Sequence, residues 1–248
     1  MDKIIIRKAY SKHFRKRIGK IEYIIIHCSA YDLDENIKIF DENGVSNHYF
    51  IEKNGNITEL VEPKNVAFHA GISSWEKNSN SLNENSIGIE LEAPNLGQKT
   101  SDFSKKQIDS LCKLLEVLVN EFQIPSYNVI GHSDIAVDRK PDPGMCFPWK
   151  KLYKKGFGIW YDLRKLDKED DEVTLLKRIG YNTSDIKASR YAFCRHFIKE
   201  EIILTKDVIE LVNNPYPKNF NIIDYKHYKK VLKAVSFMIS YYRNNFRA

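Results

Sequence analysis

Two histidines and two acidic residues fall where apolar segments end or run, and their types suit a hydrolytic metal site. His27 ends a β-branched apolar run, and His132 follows a second, shorter one. Glu90 lies within a third apolar segment, and Asp142 stands between two prolines that stiffen its loop. Two histidines and one carboxylate would leave zinc a fourth position for water, as hydrolysis requires. A lone strand-end histidine is more often a hydrogen-bonded structural residue, so residue type alone leaves both roles open.

The surrounding pattern predicts a sheet that would hold these side chains. Asn54-Gly55-Asn56 predicts a hairpin turn, because Asn-Gly adopts the positive φ angles of a tight turn. Ser104 followed by Gln107 predicts a capped helix start, and Pro125 stops that helix. The predicted elements are a strand at 21–27, hairpin strands at 48–53 and 57–61, a strand at 86–92, a helix at 104–122 and a strand at 128–131.

Two polar stretches of this region show no regular pattern. Residues 31–47 are polar and irregular, so we predict neither helix nor strand there. Residues 73–85 predict a long loop, and long loops in compact domains tend to be functional or mobile. Strands alternating with helix and loop indicate a mixed central β-sheet flanked by helices.

After about residue 162 the pattern changes to helices alone. The predicted helices lie at 172–179, 188–203, 206–212 and 225–242. The sequence therefore predicts an α/β fold with a smaller all-helical C-terminal domain. Its predicted parts are an N-terminal extension at 1–20, a catalytic domain at 21–162 and the helical domain at 163–248.

Composition and charge exclude several classes of protein. Of the 248 residues, 42% are hydrophobic and 29% are charged, which is ordinary for a globular domain and excludes a disordered tail. No apolar run reaches the 18 residues of a membrane-spanning helix. The net charge of +6 arises entirely after Asp162, where it fits a solvated helical surface better than a nucleic-acid stripe.

The N-terminus predicts no export signal. Ile4-Ile5-Ile6 is too short for the apolar region of a signal peptide, and basic residues follow it rather than precede it. By sequence alone we therefore expect a cytoplasmic protein. The four cysteines form no Cys-x-x-Cys pair, so they indicate neither a zinc ribbon nor a redox motif.

Several segments occur in an order that resembles one enzyme family. They are the strand ending in His27, His48-Tyr49-Phe50-Ile51, Phe68-His69-Ala70-Gly71, Ser86 to Glu92, and Gly131 to Gly144. Residues 20–160 thereby resemble the zinc-dependent N-acetylmuramoyl-L-alanine amidases of the type 2 (AmpD/AmiD-like) family, relatives of phage T7 lysozyme and peptidoglycan-recognition proteins. The stretch from 131 to 144 is the most specific part of the resemblance.

The resemblance implies a site and a mechanism. The family's zinc ligands fall on His27, His132 and Asp142, with one Zn²⁺ per chain. Its catalytic glutamate falls on Glu90 and its essential lysine on Lys140. Zinc would lower the pKa of its water toward about 7. Glu90 would then transfer the proton, and Lys140 would stabilise the developing oxyanion.

Two further positions are assigned to substrate binding. His69 is expected to line the cleft, although a supporting hydrogen-bonded role fits it equally well. Asn47 stands where phage lysozyme and many recognition proteins carry tyrosine, so no mechanism through that hydroxyl is expected. Phe68 replaces the tryptophan of many relatives and changes a wall of the cleft. The remaining histidines are expected to be structural or surface residues: His13, His48, His196 and His227.

The C-terminal helices are similar to the peptidoglycan-binding module of AmiD-like enzymes, through Leu175–Tyr181 and Ala192–Phe197. The resemblance implies cleavage of both anhydro and ordinary muramyl–L-alanine bonds, and makes the periplasm a second expected location. Expected partners are peptidoglycan fragments or wall polymer, with no nucleic acid and no transmembrane segment, for a monomeric chain. We also expect a chain ending near Asp162 to keep cleaving soluble fragments.

Other functions stay open as alternatives. A strict anhydro-muropeptide recycling amidase would use the same site, and a muropeptide sensor would bind without cutting. Non-catalytic relatives lose a zinc ligand, and the three expected ligands are all present here. A nucleic-acid-binding protein is suggested by 14 Tyr, 13 Phe and the net charge, but no stacking motif supports it.

Overall fold

The computed structural model describes residues 4–201 and 221–245, and a mixed β-sheet lies at its centre. The strands of the described residues are β1 (Ile6–Lys8), β2 (Phe14–Lys16), β3 (Tyr23–Ser29), β4 (Tyr49–Ile51), β5 (Ile57–Glu59), β6 (Asn65–Ala67), β7 (Ser86–Glu92) and β8 (Val129–Gly131). Six of these strands form the sheet in the order β1-β5-β4-β7-β3-β8, and β2 pairs with β6 separately. Within the sheet the β4–β5 pair is antiparallel, and the other neighbours are parallel.

Helices flank this sheet and make up the C-terminal region. They are α1 (Leu33–Asn43), α2 (Lys105–Phe122), α3 (His132–Ile135), α4 (Trp149–Lys154), α5 (Glu172–Ile179), α6 (Ile186–Phe197) and α7 (Tyr225–Asn245). Short 3-10 turns lie at Asn83–Asn85, Thr100–Asp102, Ser126–Asn128 and Lys199–Glu201. None of the described helices has the length and apolar character needed to span a membrane. The predicted α/β class, with a mixed sheet flanked by helices, is confirmed.

The elements with strong local signals lie where the sequence predicts them. Strand β7 has the predicted bounds, and α2 begins directly after Ser104. The Ser104 hydroxyl accepts a hydrogen bond from the Gln107 backbone N–H at 3.0 Å. The Gln107 side chain does not close the box; it donates instead to the carbonyls of Ile51 and Glu92 at 2.9 and 3.0 Å. The start of α2 is thereby fastened to β4 and β7.

The expectation of irregular structure at 31–47 is wrong, because α1 occupies most of that stretch. Asp32 caps its first turn by accepting from the Glu35 N–H at 3.0 Å. Gly44 ends it in the left-handed conformation, with φ of 65°. Only Asn36 of this helix is buried, so the apolar periodicity is weak. The two caps were the usable sequence signals for this helix.

The C-terminal helices partly follow their predicted bounds. Helix α5 matches the predicted 172–179, and α7 extends three residues past the predicted 242. Helix α6 ends at Phe197 instead of 203, because Ile198 adopts a non-helical φ of −144° and ψ of 61°. The predicted helix at 206–212 lies outside the described residues.

Alternation along β3 sends its side chains to two different layers. Ile24 and Ile26 join the apolar cluster that contains the buried face of α2 and part of α4. Tyr23 and Ile25 join the cluster on the opposite face, which contains the C-terminal helices. His27 follows in the same alternation and therefore faces the C-terminal side of the sheet.

One apolar cluster is shared by the sheet and the C-terminal helices. It includes Ile25, Ile130 and Ile135 before residue 162, and Leu176, Phe193 and Leu232 after it. The ring of Trp75 also packs edge-on against Tyr181, with centroids 5.0 Å apart. Apolar side chains of the two regions therefore bury their surface against each other in one core.

Replacing Leu232 by alanine tests this shared core. Leu232 is fully buried in α7, so we expect the free energy of unfolding to fall by about 2–5 kcal/mol. All three tryptophans pack on C-terminal residues, so amide hydrogen exchange at increasing urea is the better probe: the amides of β7 report the sheet, and those of α7 report the helices. Both signals should shift to lower urea together. The exposed control Val173→Ala should change stability by less than about 0.5 kcal/mol. A shift confined to the helical signal would contradict a shared core.

Candidate metal centre

Neighbouring strands and the loop after them bring three sequence-predicted ligands together. Strands β3 and β8 run parallel, with Ile26 in register with Gly131. His27 and His132, the next residue in each chain segment, therefore emerge at the same edge of the sheet. Asp142 lies in the following loop, whose backbone is tied back because the Ser133 N–H donates to the Asp142 carbonyl at 2.8 Å.

The three ligand atoms form a tight triangle. His27 Nδ1 lies 3.0 Å from His132 Nδ1, and Asp142 Oδ2 lies 3.2 and 3.0 Å from these two nitrogens. Tetrahedral zinc with bonds of about 2.0–2.1 Å places its ligand atoms about 3.3 Å apart. The spacing of the triangle therefore matches one face of a zinc tetrahedron. Among the described residues, these side chains form a His/Cys/Asp/Glu group close enough to share one ion.

Hydrogen bonds on the far side of each ring determine which nitrogen is left for the metal. His132 Nε2 lies 3.2 Å from the Ala70 carbonyl, which can only accept, so Nε2 carries the proton. His27 Nε2 lies 3.0 Å from His69 Nδ1. When Nε2 carries the proton, the lone pair of Nδ1 is left to bind a metal. Outer hydrogen bonds orient metal-binding histidines in this way.

His69 fixes the direction of the second of these bonds. The Ser86 hydroxyl donates to the Leu82 carbonyl at 2.5 Å, so its oxygen is free to accept. His69 Nε2 lies 3.2 Å from that oxygen and donates to it. A neutral His69 then has an unprotonated Nδ1, which accepts from His27 Nε2–H. Burial, followed by the neighbouring histidine charges, lowers the pKa of His69 well below its ordinary value, so the ring is neutral.

The electrostatics of the triangle favour the ligand forms of its members. Burial and the charge of His132 lower the pKa of His27 to about 4. Although burial favours a protonated Asp142, His132 and His27 hold the pKa of Asp142 well below its usual range. At neutral pH the site therefore offers an uncharged imidazole at His27 and a charged carboxylate at Asp142, the states that bind metal.

Glu90 lies beside the triangle on the neighbouring strand. It is in register with His27, so both side chains project from the same face of the sheet. Asn47 Nδ2 donates to Glu90 Oε2 at 2.5 Å. Burial, and then the charge of Asp142, raises the pKa of Glu90 well above its ordinary value, while Lys140 opposes the shift. Burial therefore favours the neutral carboxyl form of Glu90 over its carboxylate.

Lys140 is close enough for its charge to act on the site. The half-buried Lys140 lowers the pKa of both His27 and Glu90 through its positive charge. Its backbone carbonyl accepts a hydrogen bond from Arg195 at 3.2 Å, which ties this loop to α6. The arrangement places a cation, a buried carboxyl group and the triangle of candidate ligand atoms around one edge of the sheet.

His69 and Asn47, assigned to substrate binding by sequence, contact the site residues. Both side chains are buried, and they bond to His27 and Glu90 respectively. Both side chains lie against Gly88, which leaves no room for a larger residue: an added Cβ would lie 2.3 Å from Asn47 Oδ1 and 2.5 Å from His69 Cγ. Their substrate-binding role stays a prediction, while these contacts favour positioning of the two partners.

Two residues of the C-terminal region that support α3, Tyr181 and His196, were not predicted from the sequence. Asp134, two residues after His132, bonds to Tyr181 and His196 of the C-terminal region. His196 was expected to be a packing or surface residue. No periodicity links it to Asp134, because the partners are 62 residues apart. The one usable signal was the placement of Asp134 within the specific stretch that follows β8.

Replacing Glu90 by glutamine tests its raised pKa. A carboxyl group whose pKa rises on folding favours the folded state most below its unfolded pKa of about 4.3. That advantage is lost as pH rises through the folded pKa. In metal-free protein, Glu90→Gln should therefore unfold at a higher temperature than the wild type at pH 8, with the difference vanishing near pH 4. Scanning calorimetry across this range measures it, with the exposed Glu116→Gln as control. A pH-independent difference would contradict the shift.

Comparisons with known proteins agree with this geometry. The sequence profile of the N-acetylmuramoyl-L-alanine amidase family Amidase_2 matches residues 17–145. The chain is 36% identical over 162 residues to N-acetylmuramoyl-L-alanine amidase AmiD of Escherichia coli K12, covering 60% of this chain and 58% of that protein. It is 38% identical over 108 residues to 1,6-anhydro-N-acetylmuramyl-L-alanine amidase AmpD of Haemophilus influenzae, covering 43% and 56%. Each alignment thus spans less than two thirds of the relative.

Solved structures extend the similarity to most of the chain. Escherichia coli AmiD, in complex with anhydro-N-acetylmuramic acid-L-Ala-D-gamma-Glu-L-Lys, superposes with a TM-score of 0.68 at 26% identity, covering 91% of this chain and 97% of that one. AmpDH3 from Pseudomonas aeruginosa superposes with a TM-score of 0.70 at 25% identity, covering 93% and 94%. The similarity therefore reaches beyond the sheet into the C-terminal helices.

Proposed function

The chain belongs to the N-acetylmuramoyl-L-alanine amidase family, and on that premise we propose that it is a zinc-dependent hydrolase of peptidoglycan. The bond to be cleaved joins the lactyl group of N-acetylmuramic acid to L-alanine. One observation carries the proposal: a triangle of two imidazole nitrogens and one carboxylate oxygen, with sides of 3.0–3.2 Å, beside the buried Glu90.

Zinc suits the proposed ligands His27, His132 and Asp142. Two neutral nitrogens and one carboxylate are a donor set that zinc accepts, and three protein ligands leave it one open position. When bound there, zinc would act as a Lewis acid that polarises a carbonyl and makes water acidic near neutral pH. The protein contributes the spacing of the ligands and the outer hydrogen bonds that orient both rings.

Glu90 is the proposed proton carrier of the reaction. It would accept the proton of the attacking water and return it to the departing amine of L-alanine. A raised pKa makes the Glu90 carboxylate a stronger base toward the water proton, and the carboxyl group keeps that proton until the amine departs. Asn47 would hold the carboxyl group in place through the 2.5 Å bond between Nδ2 and Oε2.

Lys140 is the proposed stabiliser of developing negative charge. As the water attacks, the amide oxygen of the substrate becomes negative, and a nearby ammonium lowers the energy of that state. The influence of Lys140 on both His27 and Glu90 supports its placement at this edge of the sheet. Its backbone bond to Arg195 limits the movement of the loop.

The proposed substrates are peptidoglycan fragments or wall polymer with either anhydro or ordinary muramyl ends. Binding of an anhydro-muramyl peptide by Escherichia coli AmiD supports recognition of the anhydro form. The name of the Escherichia coli relative, N-acetylmuramoyl-L-alanine amidase AmiD, is not restricted to anhydro forms and supports the wider substrate range. The alternative is an amidase restricted to anhydro forms, which the names of the AmpD relatives favour.

Replacing His132 by alanine should remove the metal. We expect one zinc per wild-type chain and almost none in His132→Ala, because two remaining ligands hold zinc far more weakly. Hydrolysis should be lost with the metal. Elemental analysis after dialysis measures both proteins, with His227→Ala, in the first turn of α7, as the matched control. Full zinc occupancy in His132→Ala would show that the ligand assignment is wrong.

Digestion of matched anhydro and ordinary muropeptides, followed by mass spectrometry, tests the substrate range. The wild type should release the L-alanine-headed peptide from both. Cleavage of the anhydro form alone would favour the restricted alternative.

The same digestion tests the two proposed catalytic residues. Glu90→Ala should retain zinc but lose about 10²–10⁴-fold in kcat, because proton transfer is removed. Lys140→Ala should lose about 10²-fold or more through weaker oxyanion stabilisation. Loss of zinc from folded Glu90→Ala would mean that Glu90 is a metal ligand.

A further inference from the structure

We propose that Tyr181 and His196 of the C-terminal helical region are positioning residues for the metal ligand His132, acting through Asp134. The proposal rests on the proposed function only in taking His132 as a metal ligand. It assigns to the C-terminal helices a part in building the metal centre.

Asp134 closes the turn that sets the direction of His132. It is the third residue of α3, which begins at His132, and it is almost fully buried. Its Oδ2 accepts a hydrogen bond from the Gly131 N–H at 2.8 Å. Gly131 and Asp134 flank His132 in the chain, so the bond between them fixes the backbone from which the imidazole projects.

Two further donors to this carboxylate come from the C-terminal region. The Tyr181 hydroxyl donates to Oδ1 of Asp134 at 2.7 Å. His196 Nδ1 lies 2.8 Å from Oδ2, and because a carboxylate only accepts, Nδ1–H is the donor. Hydrogen bonds to an ionised group are stronger than neutral ones, and a buried carboxylate that loses donors is destabilised. Asp134 therefore depends on both partners for its position.

Packing places the His196 ring on an indole that lies beside the residue before His132. It stacks on Trp149, with centroids 4.0 Å apart and planes 14° apart. Next to that indole lies Gly131, where an added Cβ would be 3.1 Å from the Trp149 ring and 3.0 Å from Pro143 Cδ. Pro143 directly follows the ligand Asp142. His196 and Trp149 thus form a cluster with Gly131, which precedes the ligand His132, and with Pro143, which follows the ligand Asp142.

A comparable bond inside the helical region does not reach the site. The Tyr228 hydroxyl donates to Glu172 Oε1 at 2.6 Å, between α7 and α5. Tyr228 is fully buried, as Tyr181 nearly is. Loss of either hydroxyl removes one hydrogen bond to a carboxylate, yet only the Tyr181 bond leads to α3. Comparing the loss of the Tyr181 hydroxyl with the loss of the Tyr228 hydroxyl therefore separates a positioning role from a purely structural one.

This arrangement revises the expectation for a shortened chain. A protein ending near Asp162 would lose both C-terminal donors to Asp134 and the Arg195 bond to the Lys140 carbonyl. It would also expose the apolar face on which the C-terminal helices pack. We therefore expect such a chain to bind zinc weakly, in place of the retained cleavage expected from sequence.

The test compares Tyr181→Phe with Tyr228→Phe in the full chain. Zinc affinity is measured by competition with a chelator, the coordination geometry by the visible spectrum of cobalt-loaded protein, and stability by thermal unfolding. Tyr181→Phe should weaken zinc binding about tenfold, the lower end of the range for partners that orient metal ligands, and shift the cobalt spectrum. Tyr228→Phe should lower the unfolding temperature while leaving zinc affinity within about twofold of the wild type.

A second pair keeps the test decisive if Tyr181→Phe folds poorly. His196→Asn loses the ring that stacks on Trp149 but retains a donor near the position of Nδ1, and it should bind zinc more tightly than a variant without the donor. His196→Phe keeps the stacked ring without the donor and should weaken zinc binding. Equal zinc affinities within each folded pair would overturn the proposal; the pairs are Tyr181→Phe with Tyr228→Phe, and His196→Asn with His196→Phe. Absence of stoichiometric zinc in the wild type would instead overturn the proposed function.

Discussion

Three electron-rich atoms are held 3.0–3.2 Å apart in a buried part of this protein, and the surrounding structure depends on that constraint. Two imidazole nitrogens and a carboxylate oxygen do not gather in this way by apolar packing, because removing polar groups from water costs free energy unless they find partners. The parallel pairing of β3 and β8 brings His27 and His132 to one edge of the sheet. The bond from Ser133 to the Asp142 carbonyl then closes the triangle.

Support for the triangle comes from both sides of it. Behind His27, His69 and Ser86 form a directed series of hydrogen bonds that ends on a backbone carbonyl. Behind His132, Asp134 receives donors from the C-terminal helices. The same helices pack on the face of β3 that carries His27. A region added after the catalytic fold in sequence is therefore continuous with it in space.

Local sequence predicted the elements whose signals are local. Strand β7 and helix α2 were predictable because an apolar run and a Ser104 cap define them within a few residues. Helix α1 was not, since it buries almost no apolar side chain and its signal lies only in its caps. The ligand residues could be named from a specific stretch and its order in the chain. The bond from His196 to Asp134 joins residues 62 apart, and no periodicity in the sequence encodes such a contact.

The nitrogen through which each histidine binds metal is the most direct test of this account. Long-range ¹H–¹⁵N spectra of the zinc-loaded protein distinguish a ring bound through Nδ1 from one bound through Nε2. The hydrogen bonds at Nε2 of His27 and His132 predict that both rings keep the Nε2 proton and bind zinc through Nδ1. Zinc bound through Nε2 of either ring, or a His132 resonance unaffected by zinc, would contradict it.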